Sequence, residues 1–516
     1  MYPGTWAQTH PDKPALVMAG SGRSLTYAEL DDRSLRVANW LHAAGLRQGD
    51  VVAMVSDNRP ETYEVYWAAL RSGLYITAVN HNLSADETSY IVRDCGAKAL
   101  VVSGTKADLV DRLDVDVEHR LAFAGEVEGY GDYERALADA GNAPLPAQPH
   151  GDDLLYSSGT TGRPKGIKLP LPDYSVEEPG YKYVAIFGGL YRFDESTVYL
   201  SPAPVYHAAP LRFGGVIHAL GGTLVMMEKF EPEAFLPAVQ EHRVTHTQMV
   251  PTMFVRLLKL DDEVRLSYDV SSLRYVVHAA APCPVEVKHR MIDWLGPIVH
   301  EYYASTEANG GTMIDSEQWL QHPGSVGVPL IGRPRIVGDD GRELPTGEVG
   351  TLYFEREEFE GASFEYHNDP DRTRSTQHPE HPNWTTVGDL GYLDDEGFLY
   401  LTDRKAFMII SGGVNIYPQE IEDQLTLHPA VLDIAVLGVP DEEMGERVVA
   451  FVQPAEGISL ADGGDEALAA ELVAYARERI AHFKVPREIH FRDELPRTPT
   501  GKMVKGKLKE EYAGRA

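Results

Sequence analysis

Cysteine is almost absent: Cys95 and Cys283 are the only two in 516 residues, and they lie far apart. That excludes a disulfide framework and a thiolate zinc site, and a reducing compartment, the cytoplasm, is expected. No apolar run approaches about 18 residues, so no membrane-spanning helix is expected. The opening MYPGTWAQTHPDKPAL lacks a basic region followed by an apolar stretch, so no secretory signal is expected. There is no H-E-x-x-H and no G-x-S-x-G, which excludes the common zinc-protease and hydrolase signatures. Positive charge is also scarce. Lys and Arg number 47 against 78 Asp and Glu, a net charge of −31. Such a chain repels nucleic-acid backbones and anionic lipid at long range, so nucleic acid is excluded as partner. Any anionic ligand must be met by local donors.

What is present reads as ordinary globular protein, 43% hydrophobic and 24% charged. The length implies roughly two to four domains. Thr26-Tyr27-Ala28-Glu29 is a capping box. Behind it Tyr27, Leu30, Val37, Leu41 and Ala44 recur at helical spacing until Gly45. Residues 51–55 read as a buried strand, 61–70 as a helix, and Leu154-Leu155-Tyr156 and residues 224–227 as further strands. Helices alternating with apolar strands predict a largely parallel α/β architecture. From about residue 324 to 402, dense Gly and Pro between short β-rich runs predict a small β subdomain. Beyond residue 404 a separate α+β domain is expected, with helices over 418–427 and 466–482 and strands over 434–439 and 448–452.

The stretch YSSGTTGRPKG, residues 156–166, holds almost nothing that packs. Gly159 and Gly162 let the backbone approach a ligand. Successive amides there form an anion nest. Ser157, Ser158, Thr160 and Thr161 add hydroxyls, and Lys165 adds a charge. The inventory suits a polyphosphate, yet it is not the G-x-x-x-x-G-K-[ST] loop, since Lys165 follows Gly162-Arg163-Pro164.

In that order the loop resembles the phosphate loop of the adenylate-forming superfamily, which includes acyl-CoA synthetases. The family's other motifs follow in sequence: Pro204-Val205-Tyr206-His207, Tyr303-Ala304-Ser305-Thr306-Glu307, Val387-Gly388-Asp389, Asp403-Arg404-Lys405, residues 411–416 (SGGVNI) and Pro499-Thr500-Gly501-Lys502. The resemblance spans almost the whole chain. It implies a large AMP-binding N-terminal domain, residues 1–403, and a mobile C-terminal lid, residues 404–516. It implies activation of a carboxylic acid by ATP as acyl-AMP, with Mg²⁺, and transfer of the acyl group to CoA. Lys502 is then the catalytic lysine, Thr306 a donor to the α-phosphate, and Glu307 the metal ligand with Thr161. Tyr303 packs on adenine, Asp389 takes the ribose hydroxyls, and Arg404 reaches the ribose side. His207 is a gate beside the acid. Ala406 is the hinge, and Ser411, Gly412 and Gly413 shape the tunnel for CoA. A monomer or homodimer is expected.

Departures are specific. Ala304 stands where glycine is usual, and His278-Ala279-Ala280-Ala281-Pro282 stands where many relatives carry Gly-Gly before Ala-Pro. Ala279 and Ala280 are expected to trim the adenine or acyl pocket, and Gly310 with Gly311 to open room for a bulky acyl group. No carrier domain with a G-x-D-S-[LI] serine is fused. The alternative acceptors are an amine or a separate carrier protein.

Overall fold

The structure is a computed structural model and describes residues 1–157, 164–404, 407–412, 414–441, 444–455, 457–461, 463–496 and 503–513; the side chains of Asp403, Arg404 and Ala513 lie outside that description. It is a mixed α/β protein, and its contacts divide it into two units. One comprises Met1–His278, Ile298–His300 and Ser363–Arg374; the other comprises Ala279–Pro297, Glu301–Ala362 and Ser375–Ala516.

The first unit is built from βα repeats. An eight-stranded sheet runs Glu365–Tyr366, Lys165–Lys168, Asp152–Ser157, Tyr75–Val79, Val51–Val55, Ala97–Ser103, His119–Phe123, Gly131–Asp132. It is parallel from Asp152–Ser157 onward, and the first two strands join it antiparallel. Val51–Val55 and Tyr75–Val79 are buried at every position, as central parallel strands covered on both faces must be. A second set of strands is ordered Tyr275–His278, His246–Met249, Val198–Ser201, Thr223–Met226, Pro14–Met18, Ser24–Thr26. The capping box forms at Thr26 and opens the helix Tyr27–Ala43, which buries Tyr27, Leu30, Val37 and Leu41. The helix Glu61–Leu70 is buried all round.

The second unit carries the antiparallel strands Ser325–Ile331, Arg333–Val337, Gly350–Glu355, Asp389–Leu393 and Leu399–Arg404. The expected β subdomain is therefore interrupted. Residues 363–374 belong to the first unit, where Glu365–Tyr366 pairs with Lys165–Lys168. The C-terminal part holds a small sheet of Val414–Ile416, Ile409–Ser411, Gly445–Pro454 and Val431–Asp441, which Glu488–Phe491 joins beside Gly445–Pro454. Its two long strands outrun the predicted ones because ten residue pairs register across them. The helix Gly464–Arg477 stops short of the expected 482; Ala481 is extended and a 3₁₀ turn follows at His482–Lys484.

Two buried polar groups set how the first unit responds to solvent. Arg212 and Asp153 form a bidentate pair, 2.7 Å on each arm, almost out of reach of water. His218 is fully buried; its Nδ1 accepts from Trp67 Nε1 at 3.2 Å and its Nε2 donates to Ala15 O at 3.1 Å. Burial pulls its pKa down to about 3.

Removing one arm of the pair leaves a buried charge uncompensated. Arg212→Ala should cost about 3–5 kcal/mol in urea unfolding, while Arg135→Ala, in the exposed pair with Asp139, should stay within about 1 kcal/mol. His218 sets a pH dependence. Its folded pKa lies below the ordinary 6.5, so the unfolded chain binds the extra proton between the two values. Its contribution is complete above about pH 6.5 and is lost as pH falls toward 3. In the same denaturation assay, His218→Gln should flatten the acid slope by up to about 1.4 kcal/mol per pH unit; an unchanged slope refutes the assignment.

Candidate active site

In the first unit the strands Asp152–Ser157 and Lys165–Lys168 form the base of a hairpin, with Ser157 opposite Lys165 and Tyr156 opposite Gly166. Ser158, Gly159, Thr160, Thr161 and Gly162, the tip of that hairpin in sequence, lie outside the described residues. The base is firmly tied. Tyr156 donates to Asp94 Oδ2 at 2.5 Å. The Lys165 ammonium lies 5.1 Å from the centre of the Tyr366 ring, within cation–π range. A Cβ on Gly166 would meet Tyr156 Cζ at 2.9 Å and His367 Cβ at 3.1 Å, so only glycine lets the hairpin pass there.

His207 ends the turn that follows the strand Val198–Ser201 and caps the helix Ala208–Ala219. Its ring meets the Tyr206 ring edge-on, centroids 4.3 Å apart.

The second unit gathers the remaining described carboxylates. The strand Val299–Ala304 delivers Tyr303, and the turn after it delivers Thr306 and Glu307. Tyr303 donates to Asp389 Oδ2 at 2.5 Å, and its ring lies nearly parallel to Phe354, centroids 6.2 Å apart. Glu307 and Asp389 are both buried, 8% exposed. The turn is held from beneath. Ser305 Oγ donates to Asn309 Oδ1 at 2.9 Å, Asn309 Nδ2 donates to Thr385 O at 3.1 Å, and Arg356 donates to Ala308 O at 3.0 Å. Ala308 takes φ +51, a left-handed conformation that alanine adopts only under constraint. Arg404 stands opposite Asp389 in the register of its strand pair.

Sequence reasoning passed over Phe354, Asn309 and Tyr366, which carry no local motif of their own. A Cβ on Gly310 would lie 2.0 Å from Phe354 Cγ, so the ring fills the room that the glycine leaves. Gly310 thus serves a close approach of the Phe354 ring.

Ala279 is buried and Ala280 is exposed at φ +75. Ser411 is buried; Gly412 takes φ +58, donates to Met444 O at 2.7 Å, and would drive a Cβ to 2.5 Å from Met444 Cε. Gly413, Ala406 and Lys502 lie outside the described residues. Among the described residues, no three His, Cys, Asp or Glu gather as a metal site, and no helix is long and apolar enough to cross a membrane.

The family profile of AMP-binding enzymes matches residues 4–358, and that of the AMP-binding enzyme C-terminal domain matches residues 420–502. The chain belongs to the AMP-binding enzymes. This adenylate-forming chain is 34% identical over 504 residues to a feruloyl-CoA synthase of an Amycolatopsis species, covering 96% of each. Among solved structures it resembles the o-succinylbenzoate CoA synthetase of Bacillus subtilis with its acyl-adenylate, at TM-score 0.79 and 27% identity, over 98% of this chain and 97% of that one. It also resembles an amide bond synthetase of Marinactinospora thermotolerans, at TM-score 0.78 and 26% identity, over 99% of each. Its large N-terminal and small C-terminal domains are those of the family.

The strained alanine in this AMP-binding enzyme is testable. A methyl at φ +75 costs about 1–2 kcal/mol, and glycine returns about 0.5–1 kcal/mol of that in entropy. Ala280→Gly should therefore raise the melting temperature modestly; a lower value removes the strain assignment.

Proposed function

We propose that the chain is an acid–thiol ligase that makes an acyl-CoA through an acyl-adenylate. The observation that carries this is the pairing of Tyr303 with Asp389, with Glu307 buried in the turn that follows Tyr303, in the motif order of the family. In the first half-reaction a carboxylate oxygen attacks the α-phosphorus of ATP and the bond to pyrophosphate breaks. Two anions must meet, so charge neutralisation governs the barrier. The hairpin of residues 157–165 holds the departing phosphates with amides, hydroxyls and Lys165. Asp389, its outer oxygen fixed by Tyr303, accepts both ribose hydroxyls. Thr306 donates toward the α-phosphate. Lys502 bridges the acid and the α-phosphate.

Glu307 is a single hard carboxylate. With Thr161 it would hold a Mg²⁺; one carboxylate does not make an all-protein cage. When bound, the ion neutralises phosphate charge. In the second half-reaction the residues beyond 404 turn about Ala406. The segment Ser411, Gly412 and Gly413 then admits the pantetheine thiol, whose sulfur attacks the acyl carbon and expels AMP. Gly412 holds φ +58, a conformation that favours glycine, which supports bare backbone in that segment. Ala279 and Ala280 belong to the wall of the nucleotide or acyl pocket.

The likeness to an amide bond synthetase supports a second reading, in which an amine takes the acyl group. A pyrophosphate-release screen over ferulic, benzoic, palmitic and cholic acids, with and without CoA, separates the two. Thioester detected by mass spectrometry supports the ligase. Acid-dependent release that ignores CoA and yields no thioester supports the amine reading. Lys502→Ala should abolish release with the active acid while leaving the fold and ATP binding intact; full activity in that variant overturns the mechanism.

A further inference from the structure

Three loops of the first unit meet at the carboxyl ends of parallel strands, where open α/β sheets bind ligands. They follow Val51–Val55, Tyr75–Val79 and Val198–Ser201. At their junction sits Asn58, 5% exposed and named by no motif. Its Nδ2 donates to Ala203 O at 3.2 Å and to Met227 O at 2.8 Å. Its Oδ1 accepts from Val205 N at 2.9 Å. One amide thus ties the ends of two neighbouring strands to the middle of the turn that leads to His207.

That turn has little means of holding itself. Pro202 and Pro204 have no N–H to give. Val205 is 1% exposed, so its N–H has no water to turn to. The second loop adds to the clamp. His81 Nδ1 lies 2.8 Å from Ser56 O, and its ring meets Tyr206 edge-on at 5.2 Å. Asn82 Nδ2 donates to the Tyr206 hydroxyl at 3.2 Å. Tyr206 in turn packs on His207. Each contact lies on the path to the His207 ring, and none is a catalytic contact.

We propose that Asn58 is a positioning residue for acid recognition: its amide fixes the turn 203–207 and so sets where the His207 ring stands, with Asn82 as a weaker second tie. The proposal rests on the reading of His207 as the gate beside the acid. It accounts for a buried amide, 145 residues away from the turn, that satisfies one donor and two acceptors at once. A buried amide satisfied at every atom fixes its neighbours because any displacement strands polar groups.

The test uses full-length enzyme, the most active of the four acids above, and pyrophosphate release as readout. Asn58→Ala should raise KM for the acid roughly tenfold while KM for ATP stays within about twofold. Asn82→Ala, an exposed position that does not endanger folding, should raise the acid KM about two- to threefold. In a His207→Ala background, Asn58→Ala should add less than about twofold, because both act through one ring. The proposal is overturned if the acid and ATP KM values rise together, if the effects of Asn58 and His207 multiply, or if neither Asn58→Ala nor Asn82→Ala moves the acid KM. His207→Ala alone reports on the gate: an unchanged acid KM there refutes the gate, and the proposal with it. A raised value with silent Asn58 and Asn82 variants refutes the clamp alone.

Discussion

The pair of Asp153 and Arg212 is the constraint on which the first unit's site depends. Asp153 lies on the strand that leads to Ser157 at the base of the hairpin, and Arg212 lies on the helix that begins just after His207. Both charges are shut away from water, and either one alone would be prohibitively costly there. The strand and the helix can therefore occupy only positions that bring the guanidinium and the carboxylate together. Arg212 also lies 4.6 Å from the Tyr183 ring, and Asp152, next in the strand, takes Lys182 at 2.9 Å. Two adjacent strand carboxylates thus each take a cation, which favours this register of the strand. The hairpin and the His207 turn are then two loops set on one frame.

The second unit repeats the device with different residues. Glu301 sits on the strand that delivers Tyr303 and leads into the turn of Thr306 and Glu307, and Lys288 meets it at 2.6 Å with its side chain wholly buried. The ammonium also lies 4.8 Å from the Trp319 ring. Burial raises the Glu301 carboxyl above its usual range, against the pull of Lys288. Beyond this anchor the backbone is bent into the left-handed turn at Ala308 and held by Asn309 and Arg356. A strained turn persists only when its surroundings over-determine it. Here the ties are the buried Asn309 amide, bonded to Ser305 and Thr385, and the Arg356 guanidinium on the Ala308 carbonyl.

Much of this was legible in the sequence, for physical reasons that also mark where legibility ends. The capping box at Thr26 and the apolar strand Val51–Val55 are local signals, and both elements formed. The motif order led to Tyr303, Glu307 and Asp389, and the fold places Tyr303 on Asp389. What escaped depends on partners distant in sequence. Asp153 and Arg212 are 59 residues apart, and no periodicity links them. Asn58 lies in a loop, where a polar residue reads as solvated until the fold buries it. The close approach of Phe354 to Gly310 escaped as well, because that ring comes from another strand. Residues 363–374 have the composition of the β subdomain around them, yet one short strand pairing takes them into the other unit.

These anchors bear on a difficulty set by composition. With a net charge of −31, the chain repels a polyphosphate at a distance, so recognition must come from short-range donors. Short-range donors work only when correctly placed, because a hydrogen bond decays over a few tenths of an ångström, whereas a diffuse positive field tolerates error. Asp389 adds a further negative charge to the proposed nucleotide site. That is acceptable because ribose offers neutral hydroxyl donors, and because Tyr303 caps one carboxylate oxygen and fixes the direction of the rest. An acidic protein that binds an anion must therefore invest in rigidity where a basic one could rely on charge. The ion pairs at Asp153 and Glu301 and the buried, hydrogen-bonded amides at Asn58 and Asn309 are that rigidity.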